Sequence, residues 1–184
     1  MARLTILLAA LMIAVNAGAA EISGTISTTL TITDNSKLVG DVTCVVSGLP
    51  CIAIGASGIT LDLNGFTITG QADPQTGCNG GPTTFVPTAS EDGIFVSAQT
   101  GVTIRGPGLV RQFRGSGVSL LNSTGATVTS VTASTNCLSG IIALGGSGHD
   151  VNGNVSVRNG NAAITIKPPS SALLTSKRLR EPYK

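Results

Sequence analysis

The 184-residue sequence contains no Trp, a single Tyr and four Phe, and only 11% of its residues are charged, against roughly 25% in an average domain. Flat aromatic platforms for sugar rings are therefore scarce: the aromatic residues are Phe66, Phe85, Phe95, Phe113 and Tyr183. There is one His, His149, and both Met residues, Met1 and Met12, lie at the extreme N-terminus. Imidazole and sulfur are the donors that copper and other soft metals favour, so such a site is short of ligands. A basic stripe for nucleic acid is also missing. Residues 21–166 carry five basic and eight acidic groups, whereas residues 167–184 carry five basic groups and one acid.

Long apolar runs are absent apart from LTILLAALMIAV (4–15), which follows Met1-Ala2-Arg3 and precedes NAGAA (16–20). The run is too short for a comfortable membrane span and has the flanks of a secretory signal, read here as residues 1–20 with cleavage after Ala19 or Ala20. No later segment is long and apolar enough to be an integral span, and the expected location is secreted or periplasmic. In that oxidising setting the four cysteines are expected to pair. Cys44 and Cys51 enclose the short loop VVSGLP, and Cys78 with Cys137 makes a second pair, although four cysteines allow three connectivities.

What the chain has in quantity is Gly, 24 residues spread along its length, each costing about 1 kcal/mol in a helix interior. A helical bundle is thereby disfavoured. A core must come from Val, Ile, Leu and Thr, which favour strands. A small residue followed by apolar–any–apolar recurs in GIFVS (93–97), SGVSLL (116–121), SGIIAL (139–144) and AAITIK (162–167). A second series, GVTI (101–104), GATV (125–128) and GHDV (148–151), keeps nearly the same interval, and GITL (58–61) joins it across a longer gap. Units of this length, all strand and turn, predict a solenoid with one coil per repeat. The predicted interior columns are Val118–Ile141–Ile164, Leu120–Ala143–Ile166 and Ile104–Val128–Val151, with Thr103, Thr127 and Asp150 pointing outward. Asn136 and Asn159 share a turn position with Phe113, and their amides are expected to bond neighbouring turns.

The stretch LDLNGFTITG (61–70), the preceding DVTC…PCIAIGASGIT and the Gly–apolar repeats resemble right-handed parallel β-helix proteins over roughly residues 28–166. That superfamily includes pectin-lyase-like enzymes and the periplasmic copper-binding accessory proteins of nitrous-oxide reductase. The expected organisation is a signal peptide (1–20), N-terminal cap strands (21–50), a parallel β-helix (51–166) with an inserted loop (70–92), and a disordered basic tail (167–184). An uncapped C-terminal coil would self-associate through exposed strand edges.

Fold does not fix activity. The inserted loop is the first candidate site, since long excursions from a rigid scaffold carry function. Asp73, Glu91 and Asp92 in it, with Asp62 on the preceding strand, are candidate ligand or Ca²⁺-binding acids. Arg105, Arg111 and Arg114 are candidate substrate contacts, with Phe113 between the last two as a sugar-contacting surface. The resemblance to pectate-lyase-like enzymes implies Ca²⁺-bound acids that neutralise a uronate carboxylate and a basic residue that removes the adjacent proton. Hydrolases of the superfamily need clustered aspartates, and no Asp-Asp pair occurs here. Gly148-His149-Asp150 falls in the register of GVTI and GATV, so His149 reads as a repeat position, and no residue is assigned as catalytic. The expected function is a non-catalytic carbohydrate-binding or structural surface module with no required cofactor, acting on a polysaccharide or cell-surface glycan. The alternatives are a Ca²⁺-dependent polysaccharide lyase and a periplasmic copper-binding accessory protein.

Overall fold

Short segments of two to nine residues, most with alternating apolar positions and closed off by Gly, Ser and Asn, form strands and no helix among the described residues. The computed structural model describes residues 18–72, 78, 91–167, 172–175 and 178–179. The first half contributes β1 (Ala20–Ile26), β2 (Leu30–Ile32), β3 (Ser36–Cys44), β4 (Ile52–Ile54), β5 (Thr60–Asp62), β6 (Thr67–Thr69), β7 (Ile94–Ser97) and β8 (Thr103–Arg111). The second half contributes β9 (Val118–Leu121), β10 (Thr127–Ser134), β11 (Ile141–Leu144), β12 (His149–Asn152), β13 (Val155–Val157), β14 (Ile164–Lys167), β15 (Ala172–Thr175) and β16 (Arg178–Leu179).

These strands form two sheets in which every pairing is parallel. The ten-stranded sheet runs β1-β3-β5-β8-β10-β12-β15, with β6, β13 and β16 filling the second half of each layer where β3, β8 and β10 are long. The six-stranded sheet runs β14-β11-β9-β7-β4-β2. Away from the sheet edges, each strand therefore neighbours a strand from the repeat before it and one from the repeat after it.

Register turns the sequence repeat into columns. Leu30, Ile52, Ile94, Val118, Ile141 and Ile164 align in one, and Ile32, Ile54, Val96, Leu120, Ala143 and Ile166 in the next. On the other sheet Leu61, Ile104, Val128 and Val151 align. Side chains in the middle of these columns are fully buried, each burial contributing about 1.5–3 kcal/mol. The small residue ahead of each apolar pair has a steric cause. A Cβ on Gly93 would lie 2.6 Å from the Gly117 carbonyl oxygen, and one on Gly117 would lie 2.7 Å from that of Gly140. The backbones approach too closely there for any side chain.

Within residues 21–50, expected as N-terminal cap strands, the strands lie in the same two sheets. β1 and β3 pair in parallel, and β2 extends the six-stranded sheet beyond β4. The expected disordered tail also differs in part: β15 pairs with β12 and β16 with β13. Ala172-Leu173-Leu174-Thr175 falls one further repeat beyond His149–Asn152, whose outer edge is open to receive it. Residues 1–17 of the expected signal lie outside the described residues.

Candidate functional site

The candidate acids and the candidate arginines meet, but as pairs. Register places Asp62 of β5 beside Arg105 of β8. The guanidinium donates from Nε (2.9 Å) and from its terminal nitrogen (2.7 Å) to Asp62 Oδ2. Asp62 Oδ1 accepts the backbone N–H of Asn64 at 2.9 Å, closing the turn before Gly65. Both carboxylate oxygens are thus occupied by the fold. Arg111, at the far end of β8, donates through Nε to Thr69 Oγ1 at 3.2 Å.

Asp62 and Arg105 belong to an outward row that crosses the ten-stranded sheet: Glu21, Lys37, Asp62, Arg105, Thr129 and Asn152 stand in successive register. Lys37 pairs with Glu21 at 3.0 Å, and Thr129 Oγ1 donates to Asn152 Oδ1 at 3.2 Å. Thr60, Thr103, Thr127 and Asp150 form the parallel row two residues earlier in each strand, half-buried as the periodicity implied. At the N-terminal side the two rows border a shallow hollow of about 300 Å³ whose walls include Asn35, Lys37, Thr60, Asp62 and Arg105.

Glu91, Asp92 and Arg114 lie elsewhere, at the turns leading into β7 and β9. Glu91 Oε1 accepts the Gly48 N–H at 2.7 Å and faces the Arg114 guanidinium at 3.4 Å. It thereby fastens the 45–50 loop, which the Cys44–Cys51 disulfide closes. Asp92 is fully buried, and its Oδ1 accepts the Ser116 N–H at 2.6 Å. Ser116 Oγ in turn accepts the Ser139 N–H at 3.4 Å, so the aspartate begins a polar stack between turns. Asp62, Glu91 and Asp92 therefore do not assemble a Ca²⁺ cage, and among the described residues no three His, Cys, Asp or Glu side chains are grouped to hold a metal ion. Asp73 lies outside the described residues. Phe113 departs from the sequence expectation: it is only 4% exposed and packs in the core, so it offers no surface to a sugar.

Both expected disulfides are present, Cys44–Cys51 and Cys78–Cys137, and no free cysteine remains among the described residues. This pairing fits an extracellular or periplasmic setting. No helix is long and apolar enough to cross a membrane among the described residues. His149 is 1% exposed in the interior position shared by Ala126 and Val102. Burial pushes its imidazole below the ordinary 6.5, and the Gly145 backbone pulls the other way more weakly.

No family model, no curated protein and no solved structure matches this chain. The site must be read from its own chemistry. Its outer face offers hydroxyl, amide and paired ionic groups at the strand spacing of about 4.8 Å. One role missed in the sequence is that of Asn154. The residue is fully buried, accepting the Val131 N–H at 2.9 Å and donating to the Val128 carbonyl at 2.8 Å. The available signal was its 23-residue interval from Val131.

Proposed function

We propose that the chain is exported by the signal at residues 1–20 and is a right-handed parallel β-helix of the pectin-lyase-like kind. In this reading the face of the ten-stranded sheet binds a polysaccharide or cell-surface glycan without cleaving it. The fold reading is supported by all-parallel pairing between strands one repeat apart, in two sheets that share one core. Export is supported by the two disulfides.

The observation that carries the binding reading is the Asp62–Arg105 pair. A lyase needs an acid to hold a cation and a base to take a proton. Here the best-placed acid and base neutralise one another within 2.7 Å and hold a turn besides. What remains on that face is a row of donors and acceptors suited to recognition. The copper reading finds little support, because the one imidazole is buried and the four cysteine sulfurs are paired in disulfides.

The test is a panel of neutral and acidic polysaccharides presented to the purified chain with and without Ca²⁺, following both retention and released unsaturated or reducing ends. Retention without product, weakened several-fold by Arg105→Ala or Lys37→Ala, is the expected result. Ca²⁺-dependent product would replace this reading with that of a polysaccharide lyase. Absence of retention across the panel would leave the face as scaffold.

A further inference from the structure

The two ends of the molecule are complementary in a way the columns make explicit. In the six-stranded sheet one hydrogen bond is repeated layer after layer. The N–H groups of Leu30, Ile52, Ile94, Val118 and Ile141 donate to the carbonyls of Cys51, Gly93, Gly117, Gly140 and Ala163, at 2.9–3.2 Å. Alternation along a strand then aims the N–H and C=O of Ile164 and Ile166 away from β11, toward the outer edge. At the opposite end Leu30 and Ile32 are the residues bonded to β4, so the N–H and C=O of Thr31 face outward. Among the described residues β2 and β14 each have a single neighbour in this sheet.

The side chains match as well as the backbone. The column that starts at Leu30 ends at Ile164, and the one that starts at Ile32 ends at Ile166. Ile164 and Ile166 are only half-buried at the last layer. Ile22, Ile26, Leu30 and Ile32 line a hollow of about 350 Å³ at the first. Just beyond these columns stand exposed residues of opposite charge, Asp34 at the N-terminal end and Lys167 at the C-terminal end.

We infer that a second copy of this chain is the occupant of the N-terminal end, docked head to tail so that β14 of one copy pairs in parallel with β2 of the next. Translation along the stack brings Leu30 and Ile32 of one molecule onto Ile164 and Ile166 of another. Thr31 then completes the bonding pattern between the two isoleucines, and Asp34 lies near Lys167. Such an interface is heterologous and does not close on itself, so it gives open chains of molecules and not a dimer. The inference rests on the β-helix reading and on removal of the leader proposed above.

The experiment starts from the full 184-residue sequence expressed with export, the product's N-terminus being read by intact mass and its fold by far-ultraviolet circular dichroism. Sedimentation over a wide concentration range should show species that keep growing in size. Asp34→Lys or Lys167→Glu should each weaken association about five-fold or more, and the two combined should restore it. Thr31→Pro removes only an edge donor, which an edge strand tolerates, and should abolish growth with the spectrum unchanged. If that variant misfolds, the charge exchange still decides. A folded β-sheet protein that stays monomeric overturns the inference while leaving the fold reading intact, and so does a dimer that goes no further. A product that retains its leader, or lacks a β-sheet spectrum, overturns the premise and the inference together.

Discussion

The Asn136 side-chain amide donates to Oδ1 of Asn159, 3.0 Å away and 23 residues later, inside turns that exclude water. Asn136 Oδ1 meanwhile accepts the Phe113 N–H at 3.1 Å, and its amide also reaches the Val110 carbonyl at 3.3 Å. One side chain thus joins three consecutive turns. Asn136→Ala would leave buried donors and acceptors without partners, each costing about 1–3 kcal/mol. Urea unfolding should show a loss of about 3 kcal/mol, against less than about 0.5 kcal/mol for Asn161→Ala on the exposed surface. Equal effects of the two substitutions would mean that the amide stack carries little of the stability.

His149 makes stability depend on pH with a definite sign. Burial lowers the folded-state value of its imidazole below 6.5, so the unfolded chain binds more protons in the window beneath 6.5. Stability from this residue is complete above pH 6.5 and is lost as pH falls below it, by at most about 1.4 kcal/mol per pH unit. Melting temperatures between pH 7.5 and 5 should decline for the native chain, and the decline should be shallower in His149→Leu. Parallel slopes would assign the acid sensitivity to other groups.

The two disulfides close loops of very different size, with sequence separations of 7 and 59. Chain-entropy reasoning gives about 2 kcal/mol for the first and about 4 kcal/mol for the second. Cys78→Ser/Cys137→Ser should therefore destabilise the protein more than Cys44→Ser/Cys51→Ser when both are compared by denaturant titration. The reverse order would point to strong residual structure around residues 78–137 in the unfolded chain.

The Asp62–Arg105 pair is partly solvated, with side chains 22% and 56% exposed. A double-mutant cycle between Asp62→Asn and Arg105→Gln should return a coupling of about 1 kcal/mol or less, falling with added salt. A larger, salt-insensitive coupling would show that the pair governs the local turn and not merely its surface charge.

Much of this structure was legible in the sequence because a repeat reports on itself. Val118, Ile141 and Ile164 sit at matching offsets, and stacking is what keeps such offsets aligned, so their column and those of Leu120 and Ile104 were readable directly. Asn136 and Asn159 were readable for the same reason. The short loop between Cys44 and Cys51 suggested one disulfide, but three connectivities stayed open in the sequence and the structure selects Cys44–Cys51 with Cys78–Cys137. What repetition does not encode is contact across an interruption. Asp62 and Arg105 are 43 residues apart because the loop after β6 intervenes, and nothing local to either residue names the other. Phe113 misleads because Arg111 and Arg114 flank it, yet β8 ends at Arg111 and the chain turns at Gln112, whose φ is +59°, so that Phe113 packs into the core. Residues 20–44, 172–175 and 178–179 match the repeat only weakly in side-chain type, and it is backbone pairing that places their strands in the sheets.

The stacked glycines at 93, 117 and 140 have a further consequence for how such a chain can change over generations. Because each layer touches only the layers on either side, a copied segment running from one of these glycines to the next would slide in as a new rung, its own glycine facing the next carbonyl and its own apolar pair extending the columns. Length is then a freely adjustable trait, while substitution at any one of those glycines is felt at once by the neighbouring rung.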